Sequence, residues 1–232
     1  MDLFYIIGPT VIGFISAVSI AVYCWSRFRA ASVTILIWFA VSLLISQIHF
    51  FPDKEMSELE ALIRFMAFGT FAFGPAAILI FMAIKVDRFK SSLESIPTTA
   101  LVLTQAYRVG GVFLILAFLK GDLPAEIGLV SGLMDITVAV SAVALAFMMR
   151  RNTFVSPRVV IAWALFSLLD FSWATIVKFA SFFGALELST SASMLGNPPL
   201  SIISLFALPL GIFVSVYVVM RAKQELNQTK QR

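Results

Sequence analysis

The chain is a succession of apolar stretches, each about as long as a bilayer is thick, and this limits what it can fold into. A helix rising about 1.5 Å per residue needs about 20 apolar residues to cross a hydrocarbon core of roughly 30 Å. Such stretches run roughly over 3–25, 31–51, 61–84, 98–119, 124–149, 158–183 and 198–220. The breaks between them carry charge and turn residues, such as Lys120-Gly121-Asp122-Leu123-Pro124 and Asn197-Pro198-Pro199. The pattern predicts an all-α membrane protein of seven transmembrane helices, a single bundle over residues 1–232 with no separate soluble domain. The first stretch has no basic run before it, so it reads as a retained span rather than a cleaved signal.

Composition removes several classes of function. The chain is 60% hydrophobic and 13% charged, about half the charge of an ordinary soluble domain. The net charge of +4 is not gathered into a dense basic stripe, so nucleic acid is not an expected partner. One cysteine, Cys24, and one histidine, His49, rule out an intrachain disulfide and leave a His/Cys zinc or haem cluster without ligands. No cofactor or metal is expected.

The basic residues divide between the two sides. One side carries Arg27, Arg29, Lys85, Arg88, Lys90, Arg150, Arg151, Arg158, Arg221, Lys223, Lys230 and Arg232. The other carries only Lys54, Arg64, Lys120 and Lys178, with Asp2, Asp53, Glu55, Glu58, Glu60, Asp122, Glu126 and Glu187. The positive-inside rule puts the C-terminus in the cytoplasm and the N-terminus outside. A bacterial inner membrane is the expected location, with the lipid bilayer as the main partner; the sequence is also compatible with a homo-oligomer.

Seven helices also fit a parallel 3+1+3 repeat, residues 1–90 and 124–223 joined by a linker helix at 98–119. At an offset of 125 positions, Ser16-Ala17-Val18 aligns with Ser141-Ala142-Val143 and Ala21 with Ala146. Trp38 then falls on Trp163, and Ser42-Leu43-Leu44 on Ser167-Leu168-Leu169. Pro75 matches Pro209 at a slightly longer offset. The plan is similar to that of SWEET-like transporters and microbial rhodopsins, without the motifs of either. A retinal protein needs a Schiff-base lysine near the middle of helix 7, and residues 198–220 contain no lysine.

Three charges interrupt the spans at one depth: Arg108, Asp135 and Asp170, each near the middle of its helix. An unpaired charge at the bilayer centre costs about 2.5–3.5 kcal/mol on the insertion scale, so these three must face one another or water. Gln105 shares a helix face with Arg108, Ser131 with Asp135, and Trp163 and Ser167 with Asp170. Gly128 and Gly132 allow a close helix approach beside them. Two carboxylates beside one guanidinium leave one surplus negative charge, which suits a cation, a proton or a small polar solute. The same triad read blandly is a static packing element.

Other polar features flank it. Pro75, after Gly74, and Pro209 each free a carbonyl about one turn earlier in a membrane helix. They are candidate hinges, and their carbonyls are candidate ligands at the depth of the charges. Gln47, His49, Arg64 and Lys178, near the outer helix ends, are candidates for a vestibule that attracts anionic groups. Snorkelling to the interface is the plainer reading of Arg64 and Lys178.

Arg108 with Gly111, Gly121-Asp122-Leu123-Pro124, Gly132 with Asp135, Trp163 with Asp170, and Pro209 together resemble a group of uncharacterised bacterial seven-helix membrane proteins. That group places a histidine shortly after the helix-7 proline, which this chain lacks. The resemblance implies the fold and those positions, and no activity. Asp135, Asp170 and Leu208-Pro209-Leu210 also look like intramembrane aspartyl proteases of the presenilin type. There Met134 replaces the second glycine of Gly-x-Gly-Asp and Leu169 replaces the tyrosine of Tyr-Asp, and Arg108 would tie down a carboxylate that must share a proton. The sequence therefore points away from an enzyme. It favours a proton-coupled carrier of a small solute or ion, with a non-transporting structural or signalling membrane protein as the rival.

Overall fold

The computed structural model describes residues 3–26, 28–51, 57–151 and 155–231. Asp2, Arg27, Asp53, Lys54, Glu55 and Arg232, used above in the charge count, lie outside them, as does the side chain of Lys230. Among the described residues all regular structure is helical.

The helices are α1 (Leu3–Trp25), α2 (Arg29–Ile45), α3 (Glu58–Lys85), α4 (Asp87–Glu94), α5 (Thr98–Thr104), α6 (Gly111–Leu119), α7 (Ala125–Gly128), α8 (Val130–Arg150), α9 (Pro157–Phe182) and α10 (Leu208–Gln231). Their starts follow local chemistry. Ser57 caps α3 by accepting from the Glu60 amide, with Glu58 and Glu60 in the first turn. Ser156 caps α9 directly before Pro157. Gly121 after α6 (φ 79°) and Gly184 after α9 (φ 70°) take left-handed conformations that end those helices.

Among the described residues, six helical segments are long and apolar enough to cross a membrane: Leu3–Trp25, Glu58–Lys85, Thr98–Leu119, Ala125–Arg150, Pro157–Phe182 and Ile203–Gln228. Large apolar side chains such as Leu3, Phe4, Val22, Leu44 and Phe81 stand exposed on the outside of the bundle. A membrane supplies their solvent, and the chain is a multi-pass membrane protein.

The sequence expectation needs correction in four places. The second stretch is a helix of only 17 residues, about 26 Å long, and the chain from Ser46 to Phe51 turns instead of continuing it. Residues 85–97, expected as a loop, contain α4, which buries Leu93. The fourth span is not one α-helix: Gln105–Gly110 winds as a 3₁₀ segment between α5 and α6. The last span contains a π-helical turn, Ile203–Ala207, just ahead of Leu208-Pro209. The two proposed repeats also pack differently. α9 lies along α10, whereas α3 packs against α10 and barely touches α2, which pairs with α1.

Candidate functional site

The site starts from the irregular winding of the fourth span. A 3₁₀ helix has three residues per turn, so Gln105 and Arg108 project in the same direction. Both are fully enclosed, and Arg108 is among the largest buried side chains of the chain. α8 comes close enough to meet Arg108 because of two glycines. A Cβ on Gly111 would stand 2.5 Å from Asp135 Cβ and 2.6 Å from the Gly132 carbonyl oxygen; one on Gly132 would stand 2.8 Å from the Gly111 carbonyl oxygen. Any side chain at either position would push the helices apart.

The guanidinium then gathers three helices. Arg108 Nε donates to Asp135 Oδ1 at 2.5 Å, and Nη2 donates to Asp170 Oδ2. Nη1 donates to Ser167 Oγ and, at 3.4 Å, to the Ser167 carbonyl. Ser167 Oγ in turn meets Ser215 Oγ at 2.8 Å, which draws in α10. The flat face of the guanidinium lies 4.1 Å from the Phe171 ring centroid. Gln105 Nε2 donates to the Gly211 carbonyl at 3.2 Å. The sequence thus named Arg108, Asp135, Asp170, Gln105, Ser131 and Ser167, and the structure brings them together. Ser215, Tyr107 and Phe171 were missed, since one hydroxyl or ring in an apolar run gives no periodic signal.

The network is not closed. Ser131 stands close enough to Asp170 to act on its carboxylate. Even so, Ser131 Oγ, Asp170 Oδ1 and Gln105 Oε1 are buried and complete no hydrogen bond of normal geometry. Beside Ser131 and Asp170 opens a cavity of about 90 Å³, with room for several water-sized groups. Arg108, Ser131, Asp135 and Asp170 line it together with mainly apolar residues, including Ile12, Phe113, Phe171 and Phe206.

The prolines behave otherwise than expected. Pro209 has no amide hydrogen, so the Leu205 carbonyl loses its helical donor. That carbonyl accepts instead from Ser42 Oγ of α2 at 3.3 Å. Tyr107 Oη donates to the Ala207 carbonyl at 2.6 Å. These carbonyls are therefore already engaged rather than offered to a cation. Pro75 lies inside an uninterrupted α3.

The outer polar group does not assemble into one vestibule. Gln47 is exposed and bonds within its own segment, to the Leu43 carbonyl and Ser46 Oγ. His49 is exposed, and its carbonyl accepts from Arg64 Nη1 at 3.1 Å. Arg64 also pairs with Glu60 at 3.0 Å. Lys178 alone turns inward. Its Nζ is sealed from solvent with no hydrogen-bond partner, 3.8 Å from the Phe68 ring centroid and 4.7 Å from that of Phe51. Two cation–π contacts return roughly 0.5–2 kcal/mol each, against an effective burial penalty of several kcal/mol for an ammonium.

Residues distant in sequence hold Phe51 over Lys178. Asn197 accepts the Phe51 amide at 3.0 Å and donates to the Phe51 carbonyl at 2.5 Å. Ser201 Oγ holds the Ser46 carbonyl at 2.9 Å. The 183–202 connection thereby pins the end of the second stretch over Lys178. A second cavity, of about 40 Å³, is lined by Lys178, Thr175 and the rings of Phe65, Phe68, Phe73 and Phe179. Ala174, Leu195, Ser204 and Leu208 line both cavities.

A sequence model for a domain of unknown function, DUF8737, matches residues 65–223. The chain belongs to this family. The matched region contains the triad, both cavities' charged groups and Lys178, while α1 and α2 precede it. No curated protein and no solved structure matches the chain.

Proposed function

We propose that this DUF8737 protein is a carrier that takes a small solute or ion through the membrane by way of the Arg108–Asp135–Asp170 site. One observation supports the reading above the rest. A cavity of about 90 Å³ is lined by all three members of the triad, and Asp170 Oδ1 beside it is buried with no partner except the neighbouring Ser131 hydroxyl. A packing triad does not need the cavity. In this reading the surplus carboxylate of the Asp135/Asp170 pair holds a cation or a proton. Arg108 is the counter-charge that releases one carboxylate when the other is occupied. The π-turn before Pro209 and the kink-prone Pro75 are the hinges.

The proposed topology has seven crossings, with α2 as a short one, the N-terminus outside and the C-terminus in the cytoplasm of a bacterial inner membrane. The charge split supports it. Reporter fusions at residues 90 and 122 should fall on opposite sides. No catalytic step is assigned. Arg108 bonds both carboxylates, which opposes a proton-sharing protease dyad.

The second reading, a structural or signalling protein with the triad as a packing element, is favoured by the number of guanidinium donors already used inside the bundle. Proteoliposomes loaded with a pH dye and challenged with a solute panel separate the two. Carrier function requires flux in the wild-type protein and loss of that flux in Asp170→Asn with the fold retained. Wild-type protein that moves neither protons nor any solute of the panel sinks the carrier reading.

A further inference from the structure

We infer that Lys178 is the anion subsite of this protein, and that the ligand it takes is a small carboxylate with an apolar body. The Lys178 ammonium has no hydrogen-bond acceptor and no ion-pair partner among the described residues, and its Nζ is sealed from solvent. Two phenylalanine faces offset only part of what the ammonium loses on leaving water. A single monoanion, accepting from the ammonium, would complete it.

The shape of the space sets the class of ligand. The cavity at Lys178 is small, about 40 Å³, and its other walls are almost wholly apolar, with Thr175 and Ser204 as the exceptions. It shares Ala174, Leu195, Ser204 and Leu208 with the larger cavity that the triad lines. Lys178 and Asp170 lie eight residues apart on α9, about 12 Å along its axis. The two cavities are therefore neighbours, and a carboxylate seated on Lys178 would direct its apolar chain toward the Asp170 end of the helix.

Charge balance ties the two ends together. Inside the bundle Arg108 and the Lys178 ammonium face Asp135 and Asp170, and Glu126 adds a further carboxylate whose Oε2 is buried without a partner. A carboxylate entering at Lys178 adds one negative charge to an interior of low dielectric, which a proton at the triad would cancel. This last step rests on the carrier reading above; binding at Lys178 does not.

The test uses the full chain in nanodiscs of phosphatidylcholine alone, with octanoate as the probe and octylammonium and octanol as matched controls. Unfolding is followed by a thiol-reactive dye on Cys24, the sole cysteine, which is buried. Octanoate should raise the unfolding temperature of the wild-type protein, and the controls should not. Lys178→Met should weaken octanoate binding by at least about tenfold, and Lys178→Arg should restore part of it. Lys178→Met should unfold no earlier than wild type without ligand, which separates lost binding from a lost fold.

Octanoate stabilisation equal in wild type and Lys178→Met overturns the inference. So does protection by phosphatidylglycerol in the disc but not by octanoate, because the anion is then a lipid phosphodiester. Asp170→Asn distinguishes the two readings. If it abolishes flux and leaves octanoate binding intact, the subsite stands; a wild type that moves no solute but binds octanoate through Lys178 removes the carrier and keeps the subsite.

Discussion

Arg108 and Lys178 are both cations enclosed by the same bundle, and the fold treats them in opposite ways. Arg108 lies where three helices cross, and donates to two carboxylates and a serine while stacking on Phe171. Lys178 lies under a loop lid against two aromatic rings, with no acceptor. The difference follows from chemistry and position. A guanidinium has five donors in a fixed fork and suits several partners at once; an ammonium is a compact point charge on a flexible stem. One reads as a junction of the fold and the other as a vacant half of an ion pair.

The sharpest way to break this contrast is to delete the junction. Arg108→Met should destabilise by about 3–5 kcal/mol, because it leaves two carboxylates buried without a counter-ion. Thermal unfolding with the Cys24 dye measures it. An Arg108→Met variant that unfolds no earlier than wild type, as expected of Lys178→Met, would put the two cations in the same class.

Removing the whole network is the control. Arg108→Met with Asp135→Asn and Asp170→Asn should recover most of that loss, since neutral groups of similar volume need no counter-ion. If the triple variant remains as unstable as the single one, shape and not charge holds the junction.

Gly111→Ala tests the close approach that makes the junction possible. The added methyl meets Asp135 Cβ and the Gly132 carbonyl, and should cost about 1–3 kcal/mol with weaker flux. An unchanged unfolding temperature would show that α6 and α8 separate freely.

Lys178→Met should change apo stability in the other direction, by a gain of about 1 kcal/mol, because an unpaired charge is replaced by an apolar chain of similar length. Arg64→Ala should matter least, at most about 0.5 kcal/mol, since its pair with Glu60 is partly exposed to solvent. A larger effect at Arg64 than at Lys178 would restore the outer vestibule as a single electrostatic unit.

Much of this was legible in the residues, for a physical reason. Apolar length and charge in loops follow from the bilayer, so the helical class and the stretches around 3–25, 61–84, 98–119, 124–149 and 158–183 needed no tertiary information. Arg108, Asp135 and Asp170 stood out because a mid-membrane charge is costly wherever the chain goes. Gly128 and Gly132 marked a close helix face for the same kind of local reason. The short α2, the helix at Asp87–Glu94 and the 3₁₀ winding at Gln105–Gly110 left no such mark.

What only the tertiary structure decided is which groups meet and which stay unmet. The Leu205 carbonyl freed by Pro209 became a partner for Ser42, 163 positions away, and not a ligand for a cation. Asn197 clamps Phe51 across 146 positions and so roofs Lys178. The sequence identified four interfacial polar residues, and packing turned one of them inward. Burial costs are written residue by residue into a chain, whereas the satisfaction of a hydrogen bond belongs to pairs that only folding brings together.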